Sequence, residues 1–195
     1  MLRPMSSGDT INKPPNRDTQ SALKALWQGE LSQWRGLPEG TTVRDVVELY
    51  GRVPNGGSGR LAGNWLTYHD FRAKETWPNA RIWPNARIWS REGEVVRIDL
   101  ENPKVADPAD QLHHLGKPAE ERLPPPGYRY DEEDALLEYL YPARGLVLHV
   151  SDPTLPGGSP TQRIVRVRAF VPMSIAAYDR KLGGQQPGLI RRPNR

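Results

Sequence analysis

The sequence predicts an α+β protein of two tandem helix-plus-three-strand units, with the helices packed on one face of an antiparallel sheet and an extra helix at the N-terminus. Three observations carry this. Apolar residues recur at three- and four-residue steps in stretches with capping residues, in both halves of the chain. Period-two segments follow those stretches. The halves also overlay by their endings: "YGRVP" (Tyr50 to Pro54) on "LGKP" (Leu115 to Pro118), and "VVRI" (Val95 to Ile98) on "IVRV" (Ile164 to Val167). One supersecondary unit used twice would leave this trace.

Residues 1–18 are rich in Pro, Ser, Asn and Asp and carry too little apolar surface to offset the entropy of ordering them, so they read as a flexible arm. Leu23, Leu26, Trp27, Leu31 and Trp34 then line one face of a helix at about 20–35, closed by Gly36 and Pro38. Two tryptophans on such a face serve as core anchors more often than as a recognition stripe. "TTVRDVVELYG" opens a second helix. Thr42 and Asp45 approximate a capping box, Val43, Val46, Val47 and Tyr50 form the stripe, and Gly51 is placed to terminate it. "NGGSGRLAG" reads as a glycine-rich turn, and "NWLTYHDF" and "GEVVRIDL" as strands.

In the second half, "DPADQLHHLG" starts with Asp107 as cap and Pro108 at the first helical position, turns Ala109, Leu112 and Leu115 inward, and stops at Gly116. Strands follow at "DALLEYLY", "RGLVLHV" and "QRIVRVRAF", then a short helix started by Ser174. The units are expected at 19–103 and 104–182. Residues 183–195 form a basic flexible tail, since no acid follows Asp179 while Arg180, Lys181, Arg191, Arg192 and Arg195 do.

"WPNARIWPNARIWS", residues 77–90, holds one hexapeptide twice. Within the overlay it faces the single "YPARGLVLHV" that begins at Tyr141, so Trp83 to Trp89 would fill the position of Tyr141 to Leu146 and Trp77 to Ile82 would lengthen the preceding connection. Six is even, so the insertion keeps each side chain on its own strand face. Trp77, Asn79, Arg81, Trp83, Asn85, Arg87 and Trp89 would share one side, where arginine can stack on tryptophan. Pro78 and Pro84 cannot donate to a ladder, which points to an edge or a protruding hairpin. A lengthened loop is the plainer account; a Trp/Arg contact surface is the functional one.

Chemistry is sparse. The 195 residues contain no cysteine, which removes thiolate nucleophiles, disulfides and cysteine zinc sites and fits a reducing, cytoplasmic setting. No run of 18 apolar residues exists and the N-terminus lacks a signal-peptide core, so no membrane role is expected. His113 and His114 are adjacent, point about 100° apart on a helix, and read as partly buried side chains beside the apolar face. Tyr68, His69 and Asp70 alternate faces in a strand, which spoils a base–carboxylate dyad. "DEED" (Asp131 to Asp134) lacks the glycine and distal Glu of a calcium loop, and "GGSGR" (Gly56 to Arg60) lacks the lysine of a phosphate loop and reads as a flexible connection. No catalytic residues, metal or cofactor are expected.

The order of a helix ending "LG-x-P" or "YGRVP", an aromatic strand, "Y-P-x-R-G-L" or its Trp version, and a "VVRI" strand resembles the repeat of the β-lactamase-inhibitor-protein-like and SmpA/OmlA-like (outer-membrane assembly lipoprotein) superfamily over about residues 40–172. The resemblance implies helices on one sheet face and a partner gripped by the opposite concave face and its loops. The lipidated cysteine of the lipoproteins and the disulfides of the inhibitors have no counterpart here, so neither anchoring nor β-lactamase inhibition is implied. What it implies is a binding scaffold whose exposed sheet face is supplied partly by Tyr68, Trp83, Trp89, Tyr139, Tyr141 and His149; together with the Trp/Arg hairpin of Trp77, Arg81 and Arg87 read above, these form the contact surface expected of a bacterial protein-binding module of inhibitor, immunity or adaptor type. The alternative is a nucleic-acid-associated protein whose aromatics stack bases while the arginines of "RIVRVR" and of the tail neutralise phosphates.

Overall fold

In the computed structural model the described residues are 17–50, 55–71, 85–123, 136–151, 161–183 and 190–191. Residues 1–16 of the expected arm (1–18), Trp77, Arg81 and Trp83 of the doubled hexapeptide, and the acidic run at 131–134 lie outside them. The protein is α+β, and its described residues form four α-helices and one open antiparallel sheet of eight strands extended at one edge by a two-residue ninth.

Helix α1 (Arg17–Trp27) begins inside the expected arm and ends well before residue 35, because Gly29 takes a left-handed conformation (φ 76°) that stops it. Leu31 and Trp34 still reach the core, from a 3-10 turn (Leu31–Gln33) and the segment after it. Helix α2 (Val43–Tyr50) has its reciprocal cap: the Thr42 amide and hydroxyl donate to the Asp45 carboxylate at 2.8 and 2.7 Å, and the Asp45 amide donates to the Thr42 hydroxyl at 3.2 Å. In helix α3 (Pro108–Leu115) the Asp107 side chain accepts from the Asp110 amide at 3.1 Å. Its inward face is narrower than expected. Leu115 is buried and Leu112 half-buried, whereas Ala109, His113 and His114 are exposed.

Among the described residues each half has four strands, where three were expected. The first holds β1 (Asn55–Leu61), β2 (Asn64–Phe71), β3 (Asn85–Arg91) and β4 (Glu94–Glu101); the second holds β5 (Glu120–Leu123), β6 (Leu136–Tyr141), β7 (Leu146–Ser151) and β8 (Ile164–Phe170). The stretch expected to be a glycine-rich turn is strand β1. It holds because the ring of Tyr68 lies over Gly57 and that of Trp89 over Gly59, so close that a methyl at Gly57 would stand 2.8 Å from the Tyr68 hydroxyl. The aromatics supply the packing that the glycines lack. Two-residue turns at Ala62–Gly63 and Glu92–Gly93, with φ of 48° and 81° and of 52° and 86°, join β1 to β2 and β3 to β4. The second hexapeptide copy runs into β3, an interior strand and not the expected edge.

The sheet order is β1-β2-β3-β4-β8-β7-β6-β5-β9, so the halves meet with their last strands side by side and their first strands outermost. The two bulges match as well. Trp89 pairs with Arg97 and Ser90 with Val95, leaving Val96 as the extra residue; His149 pairs with Arg166 and Val150 with Ile164, leaving Val165. Val96 and Val165 are equivalent in the overlay of "VVRI" on "IVRV". The structural counterpart of Trp89 is therefore His149 in β7, whereas Tyr141, expected at the start of that strand, closes β6.

Helices α1, α2 and α3 cover one face, over Ile88, Ile98, Leu100, Leu146, Leu148, Val167 and Ala169. The expectation that the other face is free of helix fails. Helix α4 (Ile175–Tyr178), capped by Ser174, runs into a π-helical turn (Asp179–Gly183), and the two place Tyr178 and Leu182 over Phe170, Val147 and Leu140 on the far face. Nor is the whole tail apart from the fold, because β9 (Ile190–Arg191) pairs with β5. Gly145, between β6 and β7, is left-handed (φ 59°), and a Cβ there would stand 1.9 Å from the Phe170 carbonyl oxygen. Gly145→Ala is expected to cost about 2 kcal/mol or more in urea unfolding; an unchanged midpoint would show that the β6–β7 connection is not held this tightly.

Candidate functional site

Strand alternation sorts the expected contact residues onto two faces. Tyr68, Arg87, Trp89 and His149 lie on the far face, away from α1, α2 and α3. Tyr139 and Tyr141 lie on the helix face, and the Tyr141 hydroxyl, raised to about 12 chiefly by burial, donates to the Gly116 carbonyl at 3.0 Å. They do not join the others. Trp89 (8% exposed) and His149 (0%) were expected to be outward contacts and are instead interior groups.

His149 belongs to a row of charges that crosses the far face from β4 to β5. Asp99 on β4 accepts from Arg97 at 2.7 and 3.1 Å and from the Trp89 indole at 2.9 Å. Across the seam, Arg168 on β8 lies 3.7 Å from Asp99 and donates to Glu138 on β6 at 3.0 Å. His149 Nε2 lies 3.2 Å from the same Glu138 oxygen. Further out, Arg122 on β5 donates to Glu120 at 3.0 Å and to both oxygens of Asp179 at 2.6 and 2.9 Å. Asp99 and Arg168 are also counterparts in the overlay, so each meets its own equivalent at the centre of symmetry. Identical charges would repel there; the halves carry opposite ones.

Burial works to raise the Asp99 carboxyl, but the guanidiniums of Arg97 and Arg168 outweigh it and hold it below the usual range. Burial likewise works to raise Glu138, and the hydrogen bond and charge offered by His149, with Arg168 and Arg122, prevail in lowering it. Burial itself, aided by Arg168, pushes His149 down against the attraction of Glu138. The imidazole is thus neutral at neutral pH, and its charge bears on Glu138 only where acid has protonated it. With His149 neutral, two carboxylates (Asp99, Glu138) balance two guanidiniums (Arg97, Arg168).

The C-terminal segment is clasped onto this row. Arg97 donates to the Leu182 carbonyl at 2.8 Å, Arg168 to the Tyr178 hydroxyl at 3.4 Å, and Arg122 to Asp179. Tyr178 also stacks on Phe170 with centroids 4.8 Å apart. These contacts hold the segment against the far face of the sheet. Among the described residues no group of three or more His, Asp or Glu is placed to hold a metal ion, and no helix is long and apolar enough to cross a membrane.

Beyond the clasped segment, at the β1–β3 end, the far face presents an accessible patch. The guanidinium of Arg87 lies 4.7 Å from the Tyr68 ring centre and 5.9 Å from that of Trp89, and donates to both oxygens of Asp70 at 2.6 and 2.9 Å. Its pKa is raised, first by that hydrogen bond. The Arg87 side chain remains 45% exposed. Asp70 was not foreseen here, although its spacing of two from Tyr68 put both on one face. Trp65, missed entirely, is 65% exposed on the other face of the hairpin, with Arg60 at 5.1 Å from its ring centre. Of the "RIVRVR" arginines, Arg166 is held by Glu101 and Arg168 by Glu138.

No protein-family model matches the chain, and no curated protein does. Among solved structures, one of a DUF4309 family protein (YjgB) from Bacillus subtilis subsp. subtilis str. 168 is similar at 14% sequence identity, covering 80% of this chain and 99% of that one, with a TM-score of 0.38.

Proposed function

We propose that the chain is a non-catalytic protein-binding module, of inhibitor, immunity or adaptor type and acting in the cytoplasm, whose contact surface is the β1–β3 end of the far face. The observation that carries this is Arg87: exposed, yet fixed in place by a bidentate carboxylate and two aromatic rings. Arginine and aromatic side chains dominate binding hot spots, and a guanidinium already held in position loses little freedom when a partner docks. Arg87 also belongs to the second hexapeptide copy, which ties this surface to the doubled sequence. The resemblance to the tandem-repeat superfamily supports the same reading, without anchoring or β-lactamase inhibition. Tyr139, Tyr141 and His149 have no part in it.

The test is capture of the partner from the native host, followed by affinity measurement with variants. Arg87→Ala and Tyr68→Ala are each expected to weaken binding roughly 30-fold, the size of a hot-spot residue, with circular dichroism unchanged. Deleting Trp77 to Ile82 should weaken it too. Affinity should fall only modestly as salt rises. Equal binding by both point variants would remove this surface from consideration, and a steep salt slope would favour nucleic acid.

A further inference from the structure

We propose that the outer edge of β1 is a docking edge for an extended, acidic segment of a partner protein, which adds to the sheet as one more strand beside it. This rests on the protein-binding reading above and specifies how the partner is held.

The first argument is the symmetry of the sheet. Strands β1 and β5 are the first strands of the two halves and stand at corresponding ends of the eight-stranded core; the matched bulges at Val96 and Val165 fix that correspondence. At β5 the outer edge is occupied, because Ile190 and Arg191 pair with Leu123 and Arg122 as β9. At β1, among the described residues, nothing pairs with the outer edge. Strand addition is therefore already realised at one of two equivalent edges.

The second argument is what β1 lacks. Edge strands are ordinarily blunted by shortness, bulges, proline or inward-facing charge. Strand β1 has seven residues in unbroken register with β2, no proline and one charge, Arg60. Every second residue turns its N–H and C=O away from β2, and Gly56, Gly57 and Gly59, without side chains, and the small Ser58 leave room for a backbone to approach.

The chemistry of the occupant follows from the two sides of that edge. On one side lie Arg60, exposed and in no ion pair among the described residues, and the exposed Trp65. On the other lie the Tyr68 and Trp89 rings, over Gly57 and Gly59. An added strand would set acidic residues towards Arg60 and apolar ones towards Tyr68.

The probe is a synthetic seven-residue peptide alternating glutamate and valine, blocked at both ends, titrated into the full chain and followed by backbone amide NMR. Saturable shifts confined to residues 55–71 are expected. They should weaken at least tenfold with Arg60→Glu and vanish when alternate peptide amides are N-methylated. No saturation up to about 1 mM, in the weak range of affinities, or shifts elsewhere, would overturn the proposal. So would self-association of the chain through β1, abolished by Ser58→Pro or Gly59→Pro, since a second copy would then be the occupant. The N-methylated peptide keeps the question open to test on the unaltered protein if the proline variants misfold. A native partner that these variants still bind at full strength, but that Arg87→Ala loses, would leave the protein-binding reading standing and remove only the docking edge.

Discussion

Replacing Glu138 with alanine is expected to cost about 3–5 kcal/mol of stability, the usual consequence of leaving a buried charge without its counter-charge. For a chain of this size that lowers the melting temperature by roughly 6–20 °C. Glu138 Oε1 receives Arg168 and stands beside His149, both nearly sealed from water, so its removal leaves Asp99 as the one carboxylate facing Arg97 and Arg168 together. The double variant Glu138→Leu, Arg168→Met should regain most of the loss, because Asp99 keeps Arg97 and the remaining cluster is neutral. Thermal unfolding of Glu138→Leu, of Arg168→Met and of the double variant forms a cycle. Simple additivity would show that Glu138 and Arg168 do not act as a pair.

Acid should unfold the protein in two stages. His149 is pushed below its ordinary value in the folded state, so the unfolded chain binds its proton first; stability from this source is complete above about pH 6.5 and declines as the pH falls below it. Asp99 and Glu138 are also held below their ordinary values, so their contribution is complete above about pH 4 and is lost on further acidification. Both stages have the same sign. His149→Gln, neutral at every pH, should flatten the upper stage and leave the lower one. Melting temperature measured from pH 8 to pH 3 reads both, and an upper stage that persists in the glutamine variant would place the responsible group elsewhere.

Much of the framework was legible because caps act locally. Thr42, Asp45, Asp107 and Ser174 mark helix starts through hydrogen bonds that span three residues, and Pro108 marks one by its fixed φ and missing N–H. The overlay of "VVRI" on "IVRV" was legible for a similar reason, since a bulge is a local backbone event that both segments repeat. Strand β1 was not, because its packing comes from rings eleven and thirty residues away, on Tyr68 and Trp89, and no pattern within "NGGSGRL" reports them. The even spacing of Arg87 and Trp89 put them on one face correctly, but their exposure depends on what lies above: Trp89 is covered where Leu182 and Tyr178 cross, and Arg87 lies beyond.

The charged row had a signal that went unread. "VRID", "VRVR", "LLEYLY" and "LVLHV" each set a charge or an imidazole among apolar neighbours, and a strand buried on both faces needs counter-charges for every such residue. Which charge meets which could not be seen, because Glu138 meets His149 through the pairing of β6 with β7, and Asp99 meets Arg168 only through that of β4 with β8. Tyr139 and Tyr141 went astray for the opposite reason. An aromatic strand shows its period plainly, but not which of its two sides the helices take.

Amide hydrogen exchange on the chain alone and in complex with its captured partner tests the central claim most directly, that the β1–β3 end is where this scaffold grips. Slowed exchange on complex formation is predicted over residues 55–71 and 85–91, with the helix face and the row around Glu138 unchanged. Slowed exchange confined to α1, α2 and α3, or release of the Tyr178–Leu182 segment with no change in β1, would contradict it.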